Sequence, residues 1–288
     1  MTDPDLHPDL RHMLEAALAA VPAVMTVYRS DFDVTLKGDA SPVTQADEAA
    51  EAVILERLAQ SHAATPVVAE EAVSGGDVPP DNPSFFLVDP LDGTKEFVSR
   101  NGEFTINVAL VNDGVPVRGV VIAPALGRLW FGDAEEGRAW RAALDIAGDG
   151  TANPDAFEPI TVRPAPETLI ATGSRSHAAP DAERLNAKLG IETHIARGSS
   201  LKFCTLAEGE ADLYIRRGRT MEWDTAAGHS VLRAAGGRVL ALDGAAKGAE
   251  LPYNKRKQTH DSDFANPHFV AYGDATLVDR TFATIVGG

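Results

Sequence analysis

The chain alternates apolar and polar positions with two different periods, and the switches between them lay out its elements. Apolar residues at helical spacing run from about Asp9 to Tyr28, where Pro22 is expected to kink or end the helix. A second helical stretch, "TQADEAAEAVILERLAQS", offers Thr44 as its N-cap, and Ala50, Val53, Ile54, Leu55 and Leu58 supply its buried face. "TPVVAEE" then reads as a short strand closed by Glu70 and Glu71, and "SFFLVD" as a buried strand. "EFTINVALVND", "VPVRGVVIAPA", "GRLWFGDA" and "GRAWRA" follow with glycine and Asn-Asp turns, which predicts an antiparallel meander.

The second half has a different rhythm. "ETLIATGS", "ADLYIRR" and "RVLALDG" read as strands, while "DAERLNAKLG", "SLKFCTLAEGE" and "DTAAGHSVLRAAGG" read as helices, the last stopped by Gly236-Gly237. Gly148–Glu158 is rich in Gly, Asn, Asp and Pro and makes a joint between halves. The expected organisation is one compact unit with an α+β lobe over residues 1–158 and an α/β lobe over 159–288.

With 288 residues, 44% of them hydrophobic, the chain can bury a large core. No run of eighteen uncharged apolar residues occurs, so no transmembrane helix is expected. The acidic N-terminus lacks the basic region of a secretory signal. The single cysteine, Cys204, rules out an internal disulfide and fits a cytoplasmic setting; peripheral attachment at the inner membrane is the alternative. Within "SLKFCTLAEG" it reads as a packing residue rather than a nucleophile. A net charge of −16 argues against nucleic-acid polymers as partners and would repel a phosphate substrate unless positive charge intervened locally.

The chemistry concentrates in "LVDPLDGTKEF", Leu87 to Phe97. A turn needs one Asp and a Gly. A second acid at the buried end of a strand is harder to explain as structure. Asp89, Asp92 and the Leu91 carbonyl are hard oxygen ligands of the kind that suits Mg²⁺. Glu70, Asp47 and Asp224 also fall at element ends, and all could meet in one pocket where two cations bridge a phosphate and activate water. Taken alone, Asp47 and Asp224 read more readily as helix caps. Gly93 and Thr94 open the next element, where main-chain amides can receive a phosphate and the Thr94 hydroxyl can orient water.

"VVAEE", "LVDPLDGTKEF" and "EWDTAAGHSVLRAAGG" together resemble the three motifs of the lithium-sensitive, Mg²⁺-dependent sugar and nucleotide phosphatases, the inositol monophosphatase superfamily. "SPVTQAD", "RNGEFTINVAL", "SRSH", "GSSLKFC" and "WDTAAGH" bring the chain nearest to the CysQ-type 3′(2′),5′-bisphosphate nucleotidases. The resemblance implies a layered αβαβα sandwich. It implies two or three Mg²⁺ held by Glu70, Asp89, Leu91, Asp92 and Asp224, with Asp47, Thr94 and Glu70 acting in catalysis. It also implies substrate contacts from Glu70, Leu91, Asp92, Gly93, Thr94, Ser176, His177, Ser199, Lys202, Arg216 and Asp224, and inhibition by lithium. Attack by water is direct, without a phosphoenzyme.

The expected substrate is adenosine 3′,5′-bisphosphate, giving AMP and phosphate, with the sulfated nucleotide 3′-phosphoadenylyl sulfate as a second. An inositol or sugar-phosphate phosphatase is the alternative, and a non-catalytic nucleotide or Mg²⁺ binder is the alternative of another class. Against the inositol reading stand Lys95-Glu96, where those enzymes usually carry Thr-Asn, and Arg217, near the place of an inositol-contacting Glu. Arg175, Arg216 and Arg217 are further candidates for a second phosphate, although the arginines of "YIRRGR" also read as a solvated loop. The expected assembly is a monomer or homodimer.

Overall fold

The computed structural model describes residues 5–30, 42–175, 184–185, 187–253 and 261–287. Helix α1 (Pro8–Arg29) and helix α2 (Pro42–His62) pack on each other and on one face of a large sheet. Pro22 neither ends nor divides α1. Thr44 lies inside the first turn of α2 rather than capping it, since the helix begins at Pro42. By length and hydropathy alone α1 is apolar enough to cross a membrane; in the fold it buries nine residues, among them Leu10, Met13, Val21 and Val24, against α2 and the sheet.

That sheet runs β1 (Val67–Ala69), β2 (Ser84–Asp92), β3 (Thr105–Asn112), β4 (Val115–Ala123), β5 (Arg128–Asp133), β6 (Arg138–Ile146) and β7 (Ala152–Pro154) in spatial order, with β8 (Glu158–Ile160) also on β6. Only β1 and β2 are parallel; the rest is the meander the turn spacing predicts. The strands read as unbroken apolar runs because both faces are covered. Phe86, Val88, Ile106 and Val108 face α1 and α2, whereas Phe85, Leu87, Ala109 and Val111 face the opposite way.

The opposite face packs on a middle layer of helices: α5 (Leu201–Ala207) and α6 (Glu222–Ala234). Two glycines let α6 approach. A Cβ on Gly119 would stand 2.4 Å from the Ala227 carbonyl oxygen, and one on Gly132 2.7 Å from the Ala234 Cβ. Below this layer lies a five-stranded sheet in the order β10 (Thr193–Arg197), β9 (Ile170–Ser174), β11 (Leu213–Arg216), β13 (Phe269–Tyr272), β12 (Arg238–Ala241). Helix α7 (Leu277–Gly287) covers its outer face through Leu277 and Ile285. The layers therefore run α-β-α-β-α, as the motif resemblance implies. Two further helices of one turn, α3 (Glu70–Ser74) and α4 (Thr94–Val98), sit at the sheet's edge and matter for the site.

Candidate active site

Strand β2 does not stop at Pro90. It continues to Asp92 across a bulge: Asp89 pairs with Asn107 and Asp92 with Thr105, so three steps on β2 match two on β3. Pro90 falls in the bulge, where its missing N–H breaks no ladder bond. The extra residue also resets the alternation. In a regular strand Asp89 and Asp92 would face opposite sides; here both share the face of Thr105 and Asn107, toward the middle helices, and Leu91 turns into the α1–α2 core. Gly93 then takes the left-handed conformation (φ 94°) that starts α4, and a Cβ there would crowd the Ser199 Cβ at 3.3 Å.

Donors converge on Asp92 Oδ2. Ser199 Oγ donates at 2.5 Å, Ser200 Oγ at 3.4 Å and Asn107 Nδ2 at 3.5 Å. Asp89 Oδ1 accepts from the Leu91 amide at 3.0 Å. Glu70 opens α3 instead of closing β1. That one-turn helix is held by Glu51, one turn beyond Asp47 on α2, whose two oxygens accept from the Glu71 and Ala72 amides at 2.9 Å each. Asp224 Oδ2 accepts from the Met221 amide at 2.8 Å, so its capping role is real and is combined with membership of the acidic group.

The electrostatics show that these acids meet. Burial raises the Asp89 carboxyl well above the usual carboxylate range, and the charges of Glu70, Asp92, Asp224 and Asp47 all push it the same way. Burial and then Asp224 and Asp92 raise Glu70 to about 8. Burial and then Glu70 and Glu71 raise Asp47 to about 9. Burial and then Asp92 raise Asp224 to about 7. Burial also raises Asp92 against the hydrogen bond from Ser199. Among the described residues no three acidic, histidine or cysteine side chains already form a metal-ligand cluster. The carboxyls instead bond in pairs, Glu70 with Asp89 and Asp47 with Glu71. The donor set nevertheless fits a hard divalent cation: buried carboxylates that oppose one another's ionisation, a main-chain carbonyl at Leu91, and an Asp47 Oδ1 buried without a partner.

Asp92 and Asp224 form the junction between this acidic floor and a cavity of about 290 Å³. Gly93, Thr94 and Ser199 line the cavity beside them, while Lys202, Arg216 and Arg219 supply a cationic wall. Lys202 is buried rather than on the surface. Its ammonium donates to the Ser199 carbonyl oxygen and sits 5.7 Å over the Tyr214 ring, and burial lowers it to about 8. Arg216 Nη2 donates to the Arg219 carbonyl oxygen at 3.0 Å, and its Nε is buried without a partner.

Arg217 is not part of this wall. Its Nη2 donates to the Ile285 carbonyl oxygen at 2.7 Å and closes the end of α7, so it carries no argument about substrate. Arg175 is bound to Glu103 at 2.7 and 2.9 Å. Ser176 and His177 lie outside the described residues. Cys204 is buried, and burial pushes its thiol well up, as befits packing rather than nucleophilic attack. Sequence reasoning gave no role to Glu51, Glu103, Thr105, Asn107, Ser200 or Arg219. The four-residue spacing of Asp47 and Glu51 on one helix face was an available signal for Glu51, and the motifs "RNGEFTINVAL" and "GSSLKFC" contain Glu103, Thr105, Asn107 and Ser200.

A layered sandwich with buried acids where two sheets and their helices meet defines the class. The chain belongs to the inositol monophosphatase family, whose sequence profile matches residues 5–270. Within it, the chain is 41% identical over 262 residues to the 3′(2′),5′-bisphosphate nucleotidase CysQ of Escherichia coli K12, covering 90% of this chain and 98% of that protein. It is 35% identical to CysQ of Aggregatibacter actinomycetemcomitans, with 91% of each chain covered. Among solved structures, CysQ of Bacteroides thetaiotaomicron superposes with a TM-score of 0.76 at 36% identity, over 93% of this chain and 98% of that one. The inositol monophosphatase of Anabaena (Nostoc) gives 0.69 at 26% identity, over 97% and 95%.

Proposed function

We propose that the protein is a Mg²⁺-dependent phosphomonoesterase that hydrolyses adenosine 3′,5′-bisphosphate to AMP and phosphate and also accepts 3′-phosphoadenylyl sulfate, in support of sulfur metabolism. The observation that carries this is Asp89, whose ionisation Glu70, Asp92, Asp224 and Asp47 all oppose, next to a cavity that Asp92 and Asp224 line together with Lys202, Arg216 and Arg219. The CysQ relatives support the choice of substrate.

Glu70, Asp89, Asp92, Asp224 and the Leu91 carbonyl would hold two or three Mg²⁺, which when bound supply the positive charge that grips the ester and favours hydroxide over water. Thr94 and Asp47 orient the attacking water and take its proton, with α2 and α4 in contact. The Gly93 and Thr94 amides receive the scissile phosphate. Lys202, Arg216 and Ser199 hold the second one, together with Ser176 and His177. Residues 1–158 thus carry the metal ligands other than Asp224, and 159–288 the distal phosphate contacts. The enzyme acts in the cytoplasm as a monomer or homodimer.

The test is phosphate release from adenosine 3′,5′-bisphosphate and from inositol 1-phosphate, with and without Mg²⁺. The nucleotide is expected to be strongly preferred, and only with Mg²⁺. A preference for inositol 1-phosphate overturns the substrate, and tight nucleotide binding without turnover overturns the activity.

A further inference from the structure

Glu103 sits between the sequence motifs that carry the site, and its carboxylate is fully engaged. Oε2 accepts from Arg175 Nε at 2.7 Å and from the Gly198 amide at 2.8 Å, and Oε1 accepts from Arg175 Nη2 at 2.9 Å. The residue is buried, and these donors outweigh the burial that would otherwise raise its carboxyl, holding it below the usual range. Two residues on, Thr105 Oγ1 meets Ser199 Oγ at 2.5 Å. The start of β3 therefore grips two consecutive residues of a distant turn, Gly198 by its amide and Ser199 by its hydroxyl.

That turn is unusual. Ser199 has φ 48°, a left-handed conformation that a side chain makes unfavourable. Gly198 has no room for a side chain: a Cβ would stand 2.6 Å from the Glu96 Cγ and 2.8 Å from the Glu103 carbonyl oxygen. From this conformation Ser199 sends its hydroxyl to Asp92 Oδ2 at 2.5 Å and its carbonyl oxygen to the Lys202 ammonium. One strained residue thus orients both a carboxylate of the acidic floor and a cation of the opposite wall.

We infer that Glu103 is a positioning residue for ester hydrolysis: by clamping the Gly198–Ser199 turn through the Gly198 amide, with Arg175 fixing its own orientation, it sets Ser199 against Asp92 and Lys202. The inference rests on the phosphatase reading of the same site. Groups that orient a metal ligand typically carry about ten- to a hundredfold in metal affinity or activity.

The experiment compares the parent with Glu103→Ala, Arg175→Ala and the double variant. It measures kcat and KM for adenosine 3′,5′-bisphosphate, Mn²⁺ affinity from the electron paramagnetic resonance of the free ion, and the melting temperature. Glu103→Ala is expected to lower kcat and Mn²⁺ affinity by about tenfold or more while the melting temperature moves by only a few degrees. Arg175→Ala is expected to do less, and the double variant no more than Glu103→Ala alone. A folded Glu103→Ala protein with kcat, KM and Mn²⁺ affinity within about twofold of the parent overturns the inference.

If Glu103→Ala does not fold, Glu103→Asp decides, because its carboxylate keeps the charge but stops one methylene short of Gly198. Unchanged kcat and Mn²⁺ affinity in that variant overturn the clamp, and losses at an unchanged melting temperature support it. A parent that releases no phosphate defeats the phosphatase reading, while the Mn²⁺ measurement still tests the clamp.

Discussion

Ser199 Oγ lies 2.5 Å from Asp92 Oδ2 although 107 positions separate the two residues in the chain. All three donors to Asp92 converge on that one oxygen, which leaves Oδ1 as the atom available to a cation. Asp92→Asn keeps an acceptor for Ser199 and removes a buried charge that Asp89 and Asp224 both oppose. Phosphate release is expected to fall by at least about a hundredfold. Thermal unfolding in chelator is expected at or above the parent temperature, because like-charge repulsion is relieved. A variant with near-normal turnover would show that Asp92 binds no metal.

The two neighbouring arginines should separate cleanly. Arg216→Ala removes a cation from the cavity wall and is expected to raise KM for the bisphosphate by about tenfold, with a smaller change for a monophosphate ester. Arg217→Ala only uncaps α7, so kcat/KM stays within about twofold while stability falls by about 0.5–1 kcal/mol. Steady-state kinetics on both variants, with urea unfolding of the second, check the pair. Equal KM effects would place Arg217 in the site after all.

Gly119 admits α6 to the large sheet. In Gly119→Ala the new Cβ would lie 2.4 Å from the Ala227 carbonyl oxygen and 2.9 Å from the Ser230 Cβ. Main chain cannot yield as a side-chain tip can, so destabilisation of about 3 kcal/mol is expected. Calorimetry should show Tm lower by about 6–12 °C for a domain of this size. An unchanged Tm would mean that helix and sheet are not held at this spacing.

Acid should weaken the contribution of a pair beside β12, the edge strand of the second sheet. His229 Nε2 donates to Glu250 Oε1 at 3.0 Å. Burial lowers His229 from 6.5 and so keeps it neutral at pH 7. Burial would raise Glu250, but hydrogen bonds from His229 and the Val239 amide, with Arg238 nearby, hold it at about 2 against 4.5 when unfolded. Both folded values lie below the unfolded ones. The His229 contribution is therefore complete above pH 6.5 and fades below it, and the Glu250 contribution is complete above 4.5 and fades toward 2. The difference in urea midpoint between the parent and His229→Gln should shrink as pH falls from 8 to 4, beginning near pH 6.5. A difference that stays constant from pH 8 to pH 4 would contradict this account.

The sequence made the chemistry legible where residue type alone decides it. Two acids around Pro90-Leu91 at the end of an apolar run could only be costly or functional, and the structure brings them together. What it hid was the means. Convergence of Asp89 and Asp92 depends on where β2 carries an extra residue against β3, a fact of register between strands and not of either segment. Glu70 read as a strand end because "VVAEE" contains nothing that says helix; the start of α3 is imposed by Glu51 from another element. Arg216 and Arg217 have the same chemistry, but Arg216 ends β11 and lines the cavity while Arg217, just past the strand, reaches α7. The alternation shared by Tyr214 and Arg216 was visible, yet which face meets the cavity was not. Glu103 was in plain view within "RNGEFTIN", and its partners Arg175 and Gly198 lie 72 and 95 positions away.

The bulge at Pro90-Leu91 has a consequence for how this segment can change. A point substitution there alters one contact. Straightening β2 at unchanged length would shift the frame of everything after Asp89, turning the carboxylate of Asp92 toward the α1–α2 core and delivering a leucine to the acids. The bulge between the two aspartates is therefore as much a specification of the acidic group as the aspartates themselves.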